Sequence, residues 1–201
     1  MKRPPALPNL SETDRAQFWP ALPFTEWQAT AETLHMWTQI VGKIRLALTP
    51  WINHSWHVTL YLTPRGLTTS AIPHRFHTFE IQFDFISHEL HILKSNGAQC
   101  VLPLRAQSVA TFYGAVMKAL QALELPVKID RLPNEITDPI PFDRDETHQS
   151  YDPAQANRFW RVLLQSDRVL QIGTIARSKT AALNKPGCRS RTLAAILAPF
   201  E

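Results

Sequence analysis

Six of the eight histidines fall in pairs three residues apart: His54 with His57, His74 with His77, and His88 with His91. An imidazole titrates near neutrality and serves as base, acid or metal ligand, so chemistry is sought first at these pairs. Spacing alone does not make a ligand pair. Positions three apart on a strand face opposite sides, which separates His88 from His91, and His88-Glu89-Leu90-His91 is one residue short of the helical zinc-protease motif. His74 and His77 fall at a junction between a turn and a strand, and no metal is expected at either pair. His54 and His57 read differently, because Trp51 and Trp56 flank them on the loop leading from the first helix into the sheet. Indole walls exclude water and keep an imidazole neutral near pH 7, the state a base or a ligand needs. A tryptophan-rich loop packed over the sheet, with each histidine bonded to backbone carbonyls, accounts for the same residues.

A second cluster, Asp143, Asp145, Glu146, His148 and Asp152, lies on a proline-framed segment. Carboxylates beside an imidazole suit proton transfer, and oxygen-rich groups suit hard cations. Asp152 is equally explained as a helix cap, and acidic surface loops are common. Arg65 follows Pro64 at a turn, where a guanidinium reaches a carboxylate or phosphate at two points, or else pairs with Glu80 or Asp84. The reading that joins these observations has the Trp51–Arg65 loop and the Asp143–Asp152 segment bordering one polar-aromatic pocket for a small ligand. Trp37, Trp51, Trp56, Arg65 and Tyr151 are its expected ligand contacts. In an enzyme, His54 or His57 would act as base with Asp145 or His148 as partner, in a cofactor-independent or metal-assisted hydrolysis or isomerisation without a nucleotide. A binding module needs the pocket alone.

Composition removes other classes. Of only six glycines, no two lie closer than Gly173 and Gly187. Phosphate loops, the dinucleotide fingerprint and the strained nucleophile elbow all need neighbouring glycines and are therefore absent. The formal charge of +4 resides in residues 172–201, where Arg177, Lys179, Lys185, Arg189 and Arg191 outweigh Glu201, so the rest of the chain is neutral. No basic face for nucleic acid is expected. Cys100 and Cys188 are far apart and form no zinc or disulfide pattern, no apolar run spans a membrane, and the first ten residues make neither a signal peptide nor an anchor. A soluble, cytoplasmic protein with reduced thiols is expected. The sequence specifies no cofactor and no oligomeric state.

The elements that must position these residues follow from hydrophobic period and punctuation. Thr25 with Gln28 reads as a capping box opening an amphipathic helix that carries Trp27, Leu34, Trp37, Ile40, Val41, Ile44 and Leu48 and ends before Pro50. From Trp51 to Leu104 the period becomes two. Strands are expected at 57–62, 67–72, 78–85, 88–93 and 99–104, with turns at Pro64-Arg65-Gly66 and Ser95-Asn96-Gly97. Ser108 caps a second helix carrying Phe112, Val116, Leu120 and Leu123, and Val127–Arg131 reads as a short strand. Asp152 and Pro153 open a third helix running to about Leu170. The fold class expected is α+β, an antiparallel sheet of four to five strands with helices packed on one face. It occupies residues 1–170 as one domain with a proline-rich lead-in at 1–20, followed by a poorly packed tail at 171–201.

Several strings also carry a resemblance: Leu34-His35-Met36-Trp37-Thr38-Gln39-Ile40-Val41-Gly42-Lys43, Asn53-His54-Ser55-Trp56-His57-Val58 and Thr63-Pro64-Arg65-Gly66-Leu67-Thr68-Thr69-Ser70. With Phe79-Glu80-Ile81, Phe83-Asp84-Phe85, Asp138-Pro139-Ile140, His148, Ser150, Tyr151 and Asp152, they make residues 20–170 resemble the bacterial domain-of-unknown-function 5996 family. The resemblance implies no activity. It does imply a continuation after the third helix, rich in histidine and aromatic residues, that this chain lacks beyond Leu170. A truncated or frameshifted relative without activity of its own is thus a third reading.

Overall fold

A computed structural model describes residue 11, residues 18–51 and residues 58–181, with side chains through residue 171. His54, Trp56 and His57 lie outside the described residues. Among the described residues, three long helices and six short strands make an α+β fold: α1 (Phe24–Leu48), β1 (Tyr61–Thr63), β2 (Gly66–Thr68), β3 (Ile72–His74), β4 (His77–Asp84), β5 (Glu89–Lys94), β6 (Gln99–Pro103), α2 (Val109–Ala122) and α3 (Pro153–Ala181), with a 3-10 turn at Phe142–Arg144. All pairings are antiparallel, in the order β1-β2-β4-β5-β6, with β3 also on β4. The expected second strand at 67–72 is in fact two. Ser70 takes a positive φ of 55° between them, and β2 and β3 both lie along the same edge of β4.

Alternation explains the layers. Phe79, Ile81 and Phe83 of β4, Leu90 and Ile92 of β5 and Leu67 of β2 are all buried on one face. On the other, Glu80 accepts hydrogen bonds from Thr68 and Gln82. Gly66 stands where β2 approaches β4 so closely that a Cβ would lie 1.8 Å from the carbonyl oxygen of Phe83. At the other end of the sheet, the Lys94 ammonium leaves the buried row and donates to the Leu123 carbonyl at 2.8 Å, neutralising the C-terminus of α2. The 95–97 turn follows its Asn-Gly signal with only Gly97 at positive φ, and Lys94 N–H donates to Ala98 across it.

Differences from the sequence expectation have local causes. α1 begins at Phe24 with Pro23 in the cap position and no side-chain cap, so the Thr25–Gln28 box does not form and Gln28 bonds Glu32 instead. α1 is also not one-sided: from Met36 to Arg45 every residue is buried, polar ones included. The covering element is the segment at 127–136, of which Val127–Arg131 is expected as a short strand from the sequence. It has no sheet partner and instead crosses the polar side of α1, burying Ile129 and placing Asp130 and Asn134 on Lys43. α3 begins as expected, with Asp152 Oδ1 accepting from Ala154 and Gln155 N–H, but runs on to Ala181 rather than stopping near Leu170. Trp27 of α1 packs on Phe159 of α3 at 4.9 Å, and Trp160 Nε1 donates to the Thr63 carbonyl, so α3 ties the first helix to the first hairpin.

Candidate functional site

The segment Asp145–Asp152 passes three of the helix surfaces and organises the polar groups of this region. Asp145 is 1% exposed, and its Oδ1 accepts from Thr147 and His148 N–H while Oδ2 lies 2.7 Å from His148 Nδ1. The two ends of this turn accept from the first helical N–H groups of α2, Val109 to the His148 carbonyl and Ala110 to the Asp145 carbonyl, both at 3.0 Å. Ser108 Oγ takes the Thr111 N–H. The N-terminal donors of α2 are thereby satisfied from one folded loop. Further along, Ser150 and Asp152 N–H groups donate to the Thr33 and Thr30 hydroxyls of α1, each at 3.1 Å. Two threonines one turn apart on a helix thus receive alternate residues of an extended chain.

Two imidazole clusters flank this segment. On one side, Gln39 brackets the Asn134 backbone, with Oε1 accepting its N–H at 2.8 Å and Nε2 donating to its carbonyl at 3.1 Å. That bracket fixes the amide, so the remaining Nε2 hydrogen points at His35 Nε2, 3.1 Å away. His35 must present a bare nitrogen there and is held neutral. Burial drives its pKa down, against the pull of Glu135 and with the help of neighbouring His148.

On the other side, Tyr151 stacks on Trp37 at 5.4 Å, and Trp37 on Phe112 at 4.5 Å. The Tyr151 hydroxyl meets His88 Nδ1 at 2.9 Å. Burial raises the Tyr151 pKa, assisted by Asp152 and Asp84, and burial lowers that of His88 against the opposing charge of Asp84. Both rings are therefore neutral at pH 7. Asp84 itself is 5% exposed. Burial works to raise its pKa, but the Ser87 and Ile86 N–H groups and Arg65 outweigh it and hold the carboxyl below its usual range. Arg65 Nε donates to Asp84 Oδ2 at 2.5 Å.

A hollow of about 520 Å³ opens between these elements, lined by Glu26, Thr30, Gln149, Ser150, Tyr151 and Asp152, with Ala29 and Ala106. Of the residues singled out in the sequence, Tyr151 and Asp152 line it. Asp145 and His148 are brought together but lie outside its lining, and Arg65 pairs with Asp84, whose charge acts on His88, the partner of Tyr151. Trp37 is fully buried in the core behind Tyr151, and Trp51 is 63% exposed past the far end of α1. Val58 packs on Gly42, about 18 Å along α1 from Thr30. Sequence reasoning missed His35, Gln39, Thr30, Thr33 and the Tyr151 partner His88. The spacing of His35, Gln39 and Lys43 was the available signal, a polar stripe at helical period. No group of three or more histidine, cysteine or acidic side chains able to hold a metal ion occurs among the described residues, and no helix among them is long and apolar enough to cross a membrane.

Residues 19–173 match the model of a family of unknown function, DUF5996. No curated protein and no solved structure matches the chain.

Proposed function

Because the chain belongs to the DUF5996 family, which brings no activity with it, we propose from the geometry alone that it binds a small polar molecule in the hollow between α1 and Gln149–Asp152. One observation supports this reading above the others. The backbone of the wall is pinned by Thr30 and Thr33, while the side chains of Glu26, Gln149 and Ser150 make no hydrogen bond among the described residues. The pinned backbone is preorganised, so the ordering cost of binding falls on the exposed Glu26 and Gln149 side chains, whose polar groups are free to engage a ligand. Tyr151 adds an aromatic wall whose hydroxyl is oriented by His88.

The 2.7 Å contact between His148 and buried Asp145 favours a second reading, acid–base catalysis by that pair, with His54 and His57 as further candidate bases. Binding is preferred because neither Asp145 nor His148 lines the hollow and both are engaged in seating α2. A thermal-shift screen with a library of small amines, polyols, sugars and carboxylates tests the proposal. Hits are expected with the wild-type chain and lost in Ser150→Trp, whose indole fills the hollow. Hits that survive this substitution would place binding elsewhere. Any turnover of a hit that vanishes in His148→Ala, with binding retained, would instead favour the enzyme.

A further inference from the structure

The β3–β4 hairpin assigns a role to a histidine pair that the hollow does not use. His74 and His77 are Cα partners on either side of a two-residue turn made by Arg75 and Phe76. Positions three apart on one strand would face opposite ways, but a turn of two residues reverses the chain between them, and directly opposed residues of antiparallel strands project to the same face. The next pair along the ladder on that face is Ile72 with Phe79, and the His74 ring lies edge-on to Phe79 at 6.5 Å. One imidazole is therefore steadied against the end of the core while the other stands exposed. Neither ring makes a hydrogen bond among the described residues. Phe76, at 98% exposed, keeps the tip open to water.

We infer that His74 and His77 form a two-imidazole site for a divalent transition-metal cation such as Zn2+ or Cu2+ at the tip of the β3–β4 hairpin. Opposed Cβ atoms about 5 Å apart let two rings converge on one ion at the roughly 2.0–2.1 Å that metal–imidazole bonds require. Imidazole selects this class of borderline ion over Mg2+ or Ca2+, which favour oxygen. Water fills the remaining positions, so the ion exchanges readily and is open to a further ligand. Arg75 adds a positive charge beside the site and weakens it, so its removal should tighten binding.

Calorimetric titration of the full chain with ZnCl2, paired with localisation of Cu2+ by selective broadening of histidine NMR signals, tests the site. One ion per chain is expected at this locus, with the His74 and His77 ring signals broadening first. His74→Ala and His77→Ala should each weaken Zn2+ more than about tenfold, Arg75→Gln should strengthen it, and His91→Ala should leave it unchanged. The variants change an exposed tip, and their far-UV spectra verify that the fold is kept. Uptake that is unaltered in the His74→Ala/His77→Ala double variant, or first broadening at other histidines, would overturn the assignment.

Discussion

The Asp145–Asp152 segment and the β3–β4 tip are both dense in groups able to do chemistry, and they differ in how many of those groups the fold has already engaged. In the segment, the Asp145 carboxylate and carbonyl, the His148 carbonyl and the Ser150 and Asp152 N–H groups all hold helices in place. At the tip, two imidazoles stand opposite one another across the ladder and make no hydrogen bond among the described residues. Residue type marks where chemistry is feasible, but available lone pairs and protons decide where it can occur. An acid beside a histidine can be a joint of the scaffold, as Asp145 is.

The largest test of that contrast is Asp145→Ala. Removing a buried carboxylate that accepts from Thr147, His148 Nδ1 and the His148 N–H is expected to cost about 2–4 kcal/mol, read as a fall in the urea midpoint at unchanged slope. A loss under about 0.5 kcal/mol would mean that the turn does not seat α2. Thr33→Val keeps the volume but deprives the Ser150 N–H of its acceptor, and about 1–3 kcal/mol should be lost. Hydrogen exchange at Ser150 should quicken at the same time.

A smaller, pH-confined effect sharpens the other flank of the segment. Burial holds the His35 pKa below 6.5, so as pH falls the unfolded chain takes up the proton first. The stability this contributes is complete above pH 6.5 and drains away as pH drops from there through the folded-state pKa. His88, lowered by the same cause, adds a contribution of the same sign. His35→Gln cannot titrate but still offers an acceptor to Gln39, so its stability between pH 6.5 and 5 should decline less steeply than that of the wild type in parallel denaturation series. Equal slopes would remove His35 from the account. The smallest effect belongs to the tip: Phe76→Ser should shift stability by no more than about 0.5 kcal/mol in the same assay.

What the sequence made legible was local. Ser108 and the Asp152-Pro153 pair announce helix starts because a cap is a contact between near neighbours, and both form. The alternation of Phe79, Ile81 and Phe83 gives the buried face of β4 for the same reason. What escaped depended on distant chain. Thr25 and Gln28 have the capping spacing, yet α1 starts before them. Val127–Arg131 has strand alternation, yet it finds helix α1 rather than a strand edge. The polar stripe His35, Gln39 and Lys43 looks solvent-facing until the 127–136 segment is laid across it, some ninety residues later in sequence. Of the candidate site, Tyr151 and the Asp145–His148 contact were foreseeable. The hollow was not, because Thr30 and Ser150 meet only through tertiary packing.

The close approach at Gly66 sets a boundary on how this hairpin can vary. Because the obstacle to a side chain is the main-chain oxygen of Phe83, which every amino acid carries, exchanging the residue at 83 offers no relief. In a pooled library, codon 66 should retain glycine alone, and suppressor screens should return no partner mutation that restores any replacement.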